Sequence, residues 1–323
     1  MNLPRNTCSW KLAGTTTFRL ASAKIPDGRG TNLQNPSKTI CGIYIPDDRK
    51  VFIQCDQSGA EALVVAYLCR DGSFRALFKN GIKSHIYVAL HLFAPYWRNI
   101  FETPLSPEEF TSRFLTAPIS ELKNDPLWKQ LTLAIKNHDK YYAIGKMVCH
   151  ASNYGLKPGT FRLNVLQRSG GKIALSSKEA ETFLNTYHSL FPEIQEWHRA
   201  TQRQLYATRE LRNLFGYPRK FTHAMNDDFW KEAFSFVPQS TVGTITNIAY
   251  VKMQEYIEAQ GLTEWDLLNN KHDSYLMQVP VVDIEKASVK MQELLNQDLT
   301  APDGVKFKMA SETQVGKNWA FKD

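Results

Sequence analysis

The sequence predicts an α+β fold in which a sheet, built from the two ends of the chain, is interrupted by a long helical insertion. Short apolar runs separated by turns occupy residues 1–70 and 265–323, and runs of this length are typical of strands. Between them, residues 73–260 are mostly helical in pattern. The order of strands, helices and strands predicts a sheet whose strands come from distant parts of the chain.

Length and composition are those of an ordinary globular protein. The 323 residues are enough for two domains, or for one large domain with an insertion. The net charge of +7 suits a polyanionic partner, but a solvated basic surface would give the same balance. Five cysteines without C-x-x-C spacing indicate reduced thiols rather than disulfides or structural zinc. Because we find no 18-residue apolar run and no secretory signal in residues 1–10, we expect a cytoplasmic protein with no membrane partner.

A predicted helix over residues 140–155 has two chemically different sides. Tyr142, Lys146, His150 and Tyr154 recur every four residues and therefore share one face, which could grip a nucleotide. The other side is apolar and comprises Ile144, Met147, Val148 and Ala151. An ordinary amphipathic helix with a basic solvated face would show the same pattern.

A carboxylate, Asp56, ends an apolar strand-like run just before a helix that opens near Ser58. At the end of a strand and beside a helix N-terminus, it is well placed to hold a hard cation. Glu61, in the first turn of the same helix, also fits a capping box with Ser58, in which it would only close that turn.

A second carboxylate, Asp273, lies in a predicted hairpin. Apolar runs flank residues 269–273, which places Asp273 at the turn. Aspartates are common in turns for local reasons, because their side chains bond to nearby backbone groups. The dipeptide His272-Asp273 alone therefore does not define a site.

Taken in order, these segments resemble the polymerase region of family A DNA polymerases, the bacterial DNA polymerase I type, and look closest to phage-borne members. The resemblance begins at residues 15–22, similar to the family's T-x-R-L-S-S, and continues through residues 32–36. It then includes motif A (Asp56 to Glu61), motif B (Lys146 to Gly155) and motif C (His272-Asp273), with weaker matches at His85, Arg219, Gln239 and residues 315–319.

The resemblance implies a right-hand architecture. Residues 1–64 and 241–323 would form the palm, with an antiparallel sheet, and residues 65–240 would form the helical fingers. It also implies a DNA-directed DNA polymerase that binds a DNA primer-template, dNTPs and two Mg²⁺ ions, and that adds dNTPs to a primer 3′-hydroxyl.

The resemblance also assigns roles residue by residue. Asp56 and Asp273 match the metal-binding carboxylates, and Lys146 matches the lysine that faces the incoming triphosphate. Glu61 matches the side chain that blocks a ribose 2′-hydroxyl. The other predicted dNTP contacts are His85, Lys140, His150 and Tyr154. The predicted DNA contacts are Arg19, Gln34, Asn35, Arg219, Gln239 and His272.

Several positions depart from the family pattern. Tyr142 stands where motif B usually has an arginine, so Lys140 or Lys136 would supply phosphate charge. His150 replaces a Phe or Tyr, and Ser274 replaces the third carboxylate of motif C. Lys83 stands where the family often has an acid, which weakens the match at His85.

The thumb and the exonuclease domain of family members are also expected to be absent before Thr15. The chain would then be a fragment, or one part of a split polymerase whose separate partner chain supplies the rest. A single-subunit RNA polymerase is an alternative that Glu61 disfavours. A catalytically silent nucleic-acid-binding remnant is another, disfavoured by the retention of Asp56, Lys146 and Asp273.

Overall fold

The computed structural model describes residues 5–12 and 14–321. Its strands are β1 (Ser9–Lys11), β2 (Ala21–Ala23), β3 (Lys50–Gln57), β4 (Glu210–Arg212), β5 (Pro218–Lys220), β6 (Asp266–Asn270), β7 (Ser274–Pro280), β8 (Asp298–Thr300), β9 (Lys306–Lys308) and β10 (Ser311–Gly316). The helices are α1 (Lys38–Cys41), α2 (Ala60–Leu68), α3 (Ser73–Lys79), α4 (Ser84–Leu92), α5 (Ala94–Trp97), α6 (Pro107–Phe110), α7 (Trp128–Asn137), α8 (Asp139–Asn153), α9 (Pro158–Arg168), α10 (Ser177–Leu190), α11 (Pro192–Thr208), α12 (Asp227–Ala259) and α13 (Ile284–Leu295). The described helices include none whose length and apolar character would suit a membrane span.

The chain divides into two compact units. The first unit contains the described residues up to Val64, Leu211–Arg219, and those from Phe236 onward; the second contains Val65–Glu210 and Lys220–Ser235. The sequence had placed residues 65–240 together as an insertion. Here Leu211–Arg219 falls in the first unit instead, because the Asn213 amide and the Leu214 N–H donate to hydroxyls of α12, at 3.2 Å each.

An antiparallel sheet is the centre of the first unit. Its strand order is β10-β3-β7-β6, so β3 from the first part of the chain lies between strands from the last part, as the sequence predicted for an α+β fold. In register, Asp56 lies opposite Ser274 on one side and opposite Glu312 on the other. The predicted hairpin is present as β6 and β7, with residues 271–273 as its turn.

Both faces of the sheet are covered. Helix α13 packs against β3, where Val51, Ile53 and Cys55 are buried. On the other face, Phe52 and Leu276 pack with Cys41 and Trp319. Because side chains alternate along a strand, Asp56 points to the same face as Phe52, beyond the apolar cluster.

Helix α12 supports the turn that carries Asp273. The buried side-chain amide of Gln57 donates to the Thr246 hydroxyl (2.6 Å), which in turn donates to the carbonyl of His272 (2.9 Å). The ring of Tyr250 on α12 meets the ring of Tyr275 edge-on at 6.0 Å. Buried hydrogen bonds of this kind fix the turn relative to the sheet, since breaking one would leave a polar group unsatisfied.

The second unit is helical and is built around large buried aromatic residues. Its helices α10 and α11 correspond to the helical patterns predicted over residues 177–187 and 193–209. The fully buried side chains that hold it together include Phe74, Trp97, Phe114, Phe161, Tyr187 and Phe191.

Helix α8 approaches α4 closely, and Gly145 makes this approach possible. A Cβ atom at this position would lie 2.5 Å from the carbonyl oxygen of His85 and 3.0 Å from the Cβ of Ala89. Helices that pack this closely bring their side chains together at fixed positions. Gly145 therefore places His85 beside the face of α8 that carries Tyr142 and Lys146.

We expect Gly145→Ala to destabilise the protein, although alanine favours helices by about 1 kcal/mol. The new methyl group must push α8 away from α4, and overpacking of this kind costs about 1–3 kcal/mol. Gly159→Ala is the matched control, because a Cβ atom there has open space within 4 Å. Thermal unfolding of both variants checks this; an equal or higher Tm for Gly145→Ala would contradict the packing.

Candidate active site

Strands β3 and β7 bring the two predicted metal-binding carboxylates to adjacent strand ends. Asp56 lies opposite Ser274, the residue after Asp273, and the N–H of Gln57 donates to the carbonyl of Asp273 (2.9 Å). Asp273 is half-buried in the turn, whereas part of the Asp56 residue is exposed. Both carboxylates belong to the first unit.

The surroundings of the two carboxyl groups disfavour their ionised forms. Burial of the carboxyl raises the pKa of Asp56 to about 7. The negative charge of Asp273 is the second cause of this rise. Burial also raises the pKa of Asp273. Nearby Lys271 acts in the opposite direction on both groups. Additional positive charge at this place would therefore favour the ionised form of both carboxylates.

This donor set fits a hard divalent cation. Carboxylate oxygens are the ligands that Mg²⁺ prefers, and Mg²⁺ is usually held by one or two carboxylates together with water and substrate phosphates. No group of three or more His, Cys, Asp or Glu side chains is arranged to hold a metal ion within residues 5–12 and 14–321. Asp56 and Asp273 are thus the residues that could hold such an ion here.

Two further residues lie beside Asp56, and the sequence pattern did not predict their contacts with it. The Ser274 hydroxyl bonds to the Asp56 carboxyl and lowers its pKa, so this departure from the motif still serves the site. Glu312 lies opposite Asp56 on β10 and raises the pKa of Asp56 through its charge. Only the register of β10 against β3 brings Glu312 to this position.

Arg19 and Glu61 form an ion pair in the first unit. The Arg19 guanidinium donates to the Glu61 carboxylate, and both side chains are mostly buried. Gly243 on α12 leaves room for Arg19, since a Cβ atom there would lie 2.9 Å from the Arg19 Cγ. The side chain predicted to contact DNA and the one predicted to select the sugar are therefore directly linked. The capping interpretation of Glu61 remains open beside this contact.

The gate and cap interpretations of Glu61 differ in their outcome. If Glu61 blocks a ribose 2′-hydroxyl, Glu61→Ala should raise the use of rNTPs relative to dNTPs by about tenfold or more. If it only caps α2, the same change should cost about 1 kcal/mol of stability and leave sugar choice unaltered. The measurement is the ratio of kcat/KM for dCTP and CTP, with thermal unfolding alongside. Glu264→Ala, at an exposed position, is the control.

In the second unit, His85, Tyr142 and Lys146 form one cluster. The ring nitrogen Nε2 of His85 lies 3.1 Å from the Tyr142 hydroxyl, and the two rings meet edge-on at 4.9 Å. The Lys146 Nζ lies 4.8 Å above the Tyr142 ring. Burial, followed by the charges of Lys146 and Lys83, lowers the pKa of His85 to about 4. His85 is therefore neutral at physiological pH and lies beside an exposed ammonium group.

The rest of the predicted nucleotide face lies along α8 and at its end. His150 is exposed, and its ring meets the buried ring of Tyr154 edge-on at 4.8 Å. Lys140 is exposed in the first turn of α8, near enough to Glu179 to lower the pKa of that carboxyl. The predicted end of the helix is confirmed: α8 ends at Asn153, and Gly155 follows with φ of 66°.

The predicted DNA contacts have different surroundings within the first unit. Gln34 is only 4% exposed, and its amide is used internally: it donates to the carbonyls of Leu20 and Asn270 and accepts from the N–H of Ser22. A direct bond from Gln34 to DNA would have to replace one of these. Asn35, by contrast, is exposed.

The other three predicted DNA contacts lie near α12 or in the turn before Asp273. Arg219 lies over the ring of Phe236 (5.7 Å), and Gln239 is half-buried on α12. His272 has a positive φ of 64°, and its buried Nδ1 has no hydrogen-bond partner in the described part of the chain. This leaves the Nδ1 of His272 able to take part in a new hydrogen bond.

The fold is that of a DNA polymerase I polymerase domain. The structure is similar to the POL domain of Pol1 from M. smegmatis, solved in complex with DNA primer-template and dNTP, with a TM-score of 0.65 and 18% identity. That match covers 97% of this chain and 48% of the other.

The sequence comparisons place the chain in a family. The model of DNA polymerase family A matches residues 139–321, more than half of the chain, and the chain belongs to this family. It is 23% identical to DNA polymerase I of Caldicellulosiruptor bescii over 95% of its length, and 22% identical to the thermostable DNA polymerase I of Thermus filiformis over 94%. It spans about a third of each relative, 31% in both cases.

Proposed function

We propose that this chain is the catalytic region of a DNA-directed DNA polymerase that adds dNTPs to a primer 3′-hydroxyl. Membership of family A supports this proposal. The observation that carries it is the pairing of β3 with β7, which brings Asp56 and Asp273 from distant parts of the sequence to adjacent strand ends. The closeness to phage-borne members and the cytoplasmic location stay predictions.

In this proposal, Asp56 and Asp273 would hold two Mg²⁺ ions, and the hydrogen bond from the Ser274 hydroxyl favours the ionised form of Asp56. Bound magnesium supplies a lowered pKa at the 3′-hydroxyl and stabilises the charge that develops on the phosphate oxygens and the leaving pyrophosphate. The protein contributes rigidity, because β3, β7 and α12 fix the backbone that carries both carboxylates. Glu312 adds negative charge beside them.

The nucleotide contacts proposed in the second unit rest on the exposed side of α8. Lys146 would bind the triphosphate and donate a proton to the leaving pyrophosphate, and neutral His85 would contribute a hydrogen bond. Lys140 would add positive charge in place of the arginine that the motif usually carries. His150 and Tyr154 would contact the sugar and the base pair.

The DNA contacts proposed in the first unit are Arg19, Asn35, Arg219, Gln239 and His272. Gln34 would stabilise the protein backbone in this unit through its internal hydrogen bonds. Phosphate contacts provide much of the affinity of such proteins and weaken with salt. A separate partner chain that supplies a thumb and an exonuclease domain is also part of this proposal, and it would add phosphate contacts to the duplex.

The test is primer extension by the purified chain, with a labelled primer-template, Mg²⁺ and the four dNTPs, at low and at physiological salt. We expect template-dependent extension at low salt and a steep fall as salt rises. Extension with rNTPs in preference to dNTPs would favour an RNA polymerase. Duplex binding without any extension at low salt would contradict the proposal and leave a nucleic-acid-binding remnant.

A further inference from the structure

The end of α8 is held from three sides by side chains of the second unit. Asn153 is its last residue, Tyr154 follows with φ of −105°, and Gly155 turns the chain with φ of 66°. Leu156 then bonds back to the carbonyl of Ala151 (2.9 Å). The last carbonyls of a helix have no partner within the helix, so they need other donors. Here backbone N–H groups bond to the carbonyls of Ala151 and Ser152, and a side chain reaches that of Asn153.

Tyr187 on α10 holds the side chain of Asn153. Its hydroxyl donates to the Asn153 Oδ1 at 2.5 Å, and both residues are buried, at 0% and 4% exposure. Burial raises the pKa of Tyr187 well above its usual value, so the hydroxyl keeps its proton and remains a donor. Water cannot easily replace a bond in such a place, so loss of the hydroxyl leaves the Asn153 amide oxygen without this partner.

His198 on α11 holds the backbone of the same residue. Its Nε2 lies 2.8 Å from the carbonyl oxygen of Asn153. A carbonyl can only accept, so the proton of the neutral imidazole is on Nε2. Burial lowers the pKa of His198 to about 4, which keeps the ring neutral at working pH.

Phe234, in the first turns of α12, completes the arrangement. Its ring stacks on the ring of His198, with centroids 4.0 Å apart and planes 22° apart. A Cβ atom on Gly155 would lie 2.9 Å from the Phe234 ring, so the backbone rests directly on this stack. We call Tyr187, His198 and Phe234 the α8 clamp.

We propose that the α8 clamp positions Tyr154 and thereby sets how well the enzyme distinguishes a correct from a mismatched nucleotide. This inference rests on the proposed function, in which Tyr154 lies against the templating base pair. The clamp holds the residue before Tyr154 by side chain and backbone, and the residue after it by contact. Discrimination between base pairs of similar size depends on positions fixed to a fraction of an ångström.

The variants for the test remove single contacts. Tyr187→Phe deletes only the hydroxyl. His198→Phe keeps a ring to stack on Phe234 but has no donor, and His198→Gln keeps an amide donor. Val165→Ala, a truncation of a fully buried side chain in α9, is the control for general destabilisation of the second unit. The readouts are kcat/KM for the correct and for a mismatched dNTP, and hydrogen exchange at the N–H groups of Gly155 and Leu156.

We expect Tyr187→Phe and His198→Phe to lower the ratio of correct to mismatched kcat/KM by about tenfold, and His198→Gln to retain most of it. Hydrogen exchange at Gly155 and Leu156 should accelerate in both Phe variants. In Val165→Ala, exchange at these two residues should change only as much as its loss of global stability requires. An unchanged ratio with an unchanged exchange pattern would overturn the proposal. If wild type extends no primer, the proposed function fails, and the exchange data alone decide whether the clamp fixes this turn.

Discussion

Asp56→Asn and Asp273→Asn should each reduce Mg²⁺-dependent primer extension by at least about 1,000-fold while leaving duplex binding nearly unchanged. The two carboxylates occupy adjacent strand ends, and asparagine keeps their shape but removes the charge that holds a divalent cation. Extension is measured under single-turnover conditions, and binding by fluorescence anisotropy of labelled duplex. Asp298→Asn, at an exposed position on β8, should behave as wild type.

The same variants should not lose stability, which separates a functional role from a structural one. The folded pKa of Asp56, about 7, lies above the ordinary value of 3.8, so folding disfavours its ionised form. The resulting loss of folding free energy is absent below about pH 4 and grows as the pH rises to about 7. Asparagine does not ionise and therefore avoids this loss. We therefore expect the Tm of Asp56→Asn at pH 7.5 to equal or exceed that of wild type. Mg²⁺ should raise the Tm of wild type only.

Substantial Mg²⁺-dependent extension by either variant would remove these residues from the metal site. A large fall in Tm with lost activity would indicate a structural role instead. Glu312→Gln tests whether the third carboxylate beside Asp56 takes part, since only its charge changes. Weaker extension that higher Mg²⁺ restores would show that it does.

The sequence was sufficient to predict the α+β fold and the place of each carboxylate in its local structure. Turn chemistry placed Asp273 at a hairpin, and an apolar run placed Asp56 near a strand end; both are found in the structure. Such local patterns work because the residues that shape a turn or a strand end are its neighbours in sequence.

Contacts between distant segments could not be predicted in the same way. Gln34 has the polarity of a surface residue, yet its amide bonds to backbone groups of Leu20, Ser22 and the distant Asn270. Glu312 reaches Asp56 only through strand register. Pro238 would suggest a break, but α12, which is 33 residues long, continues through it, because packing outweighs the loss of one hydrogen bond.

The hydrogen bond between Tyr187 and Asn153 is another contact between distant segments that the sequence did not predict. Helical spacing places Tyr187 on the apolar face of α10, but it does not show that the Tyr187 hydroxyl meets Asn153. The α8 clamp is visible only when α10, α11 and α12 are seen around the end of α8. Residues that act on the solvent side of an element are thus easier to recognise from a motif than residues that hold the element in place.

Lys146→Ala should lower kcat/KM for a correct dNTP by about 100-fold or more, because it removes the exposed cation beside His85 and Tyr142. If Lys146 only binds the triphosphate, the loss should appear mainly as a higher KM. If it also protonates the leaving pyrophosphate, kcat should fall as well. Lys178→Ala, the same change at an exposed position on α10, is the control and should leave both constants unchanged.

An independent readout does not require catalysis. The positive charge of Lys146 contributes to the low pKa of His85, so Lys146→Ala should raise that pKa from about 4, whereas Lys178→Ala should leave it unchanged. NMR titration of the His85 ring measures this directly. A raised pKa of His85 with unchanged kinetics would confirm that Lys146 lies close to His85. It would also show that Lys146 has no role in the reaction. Loss of activity without any change at His85 would mean that Lys146 acts away from the position it has in this structure.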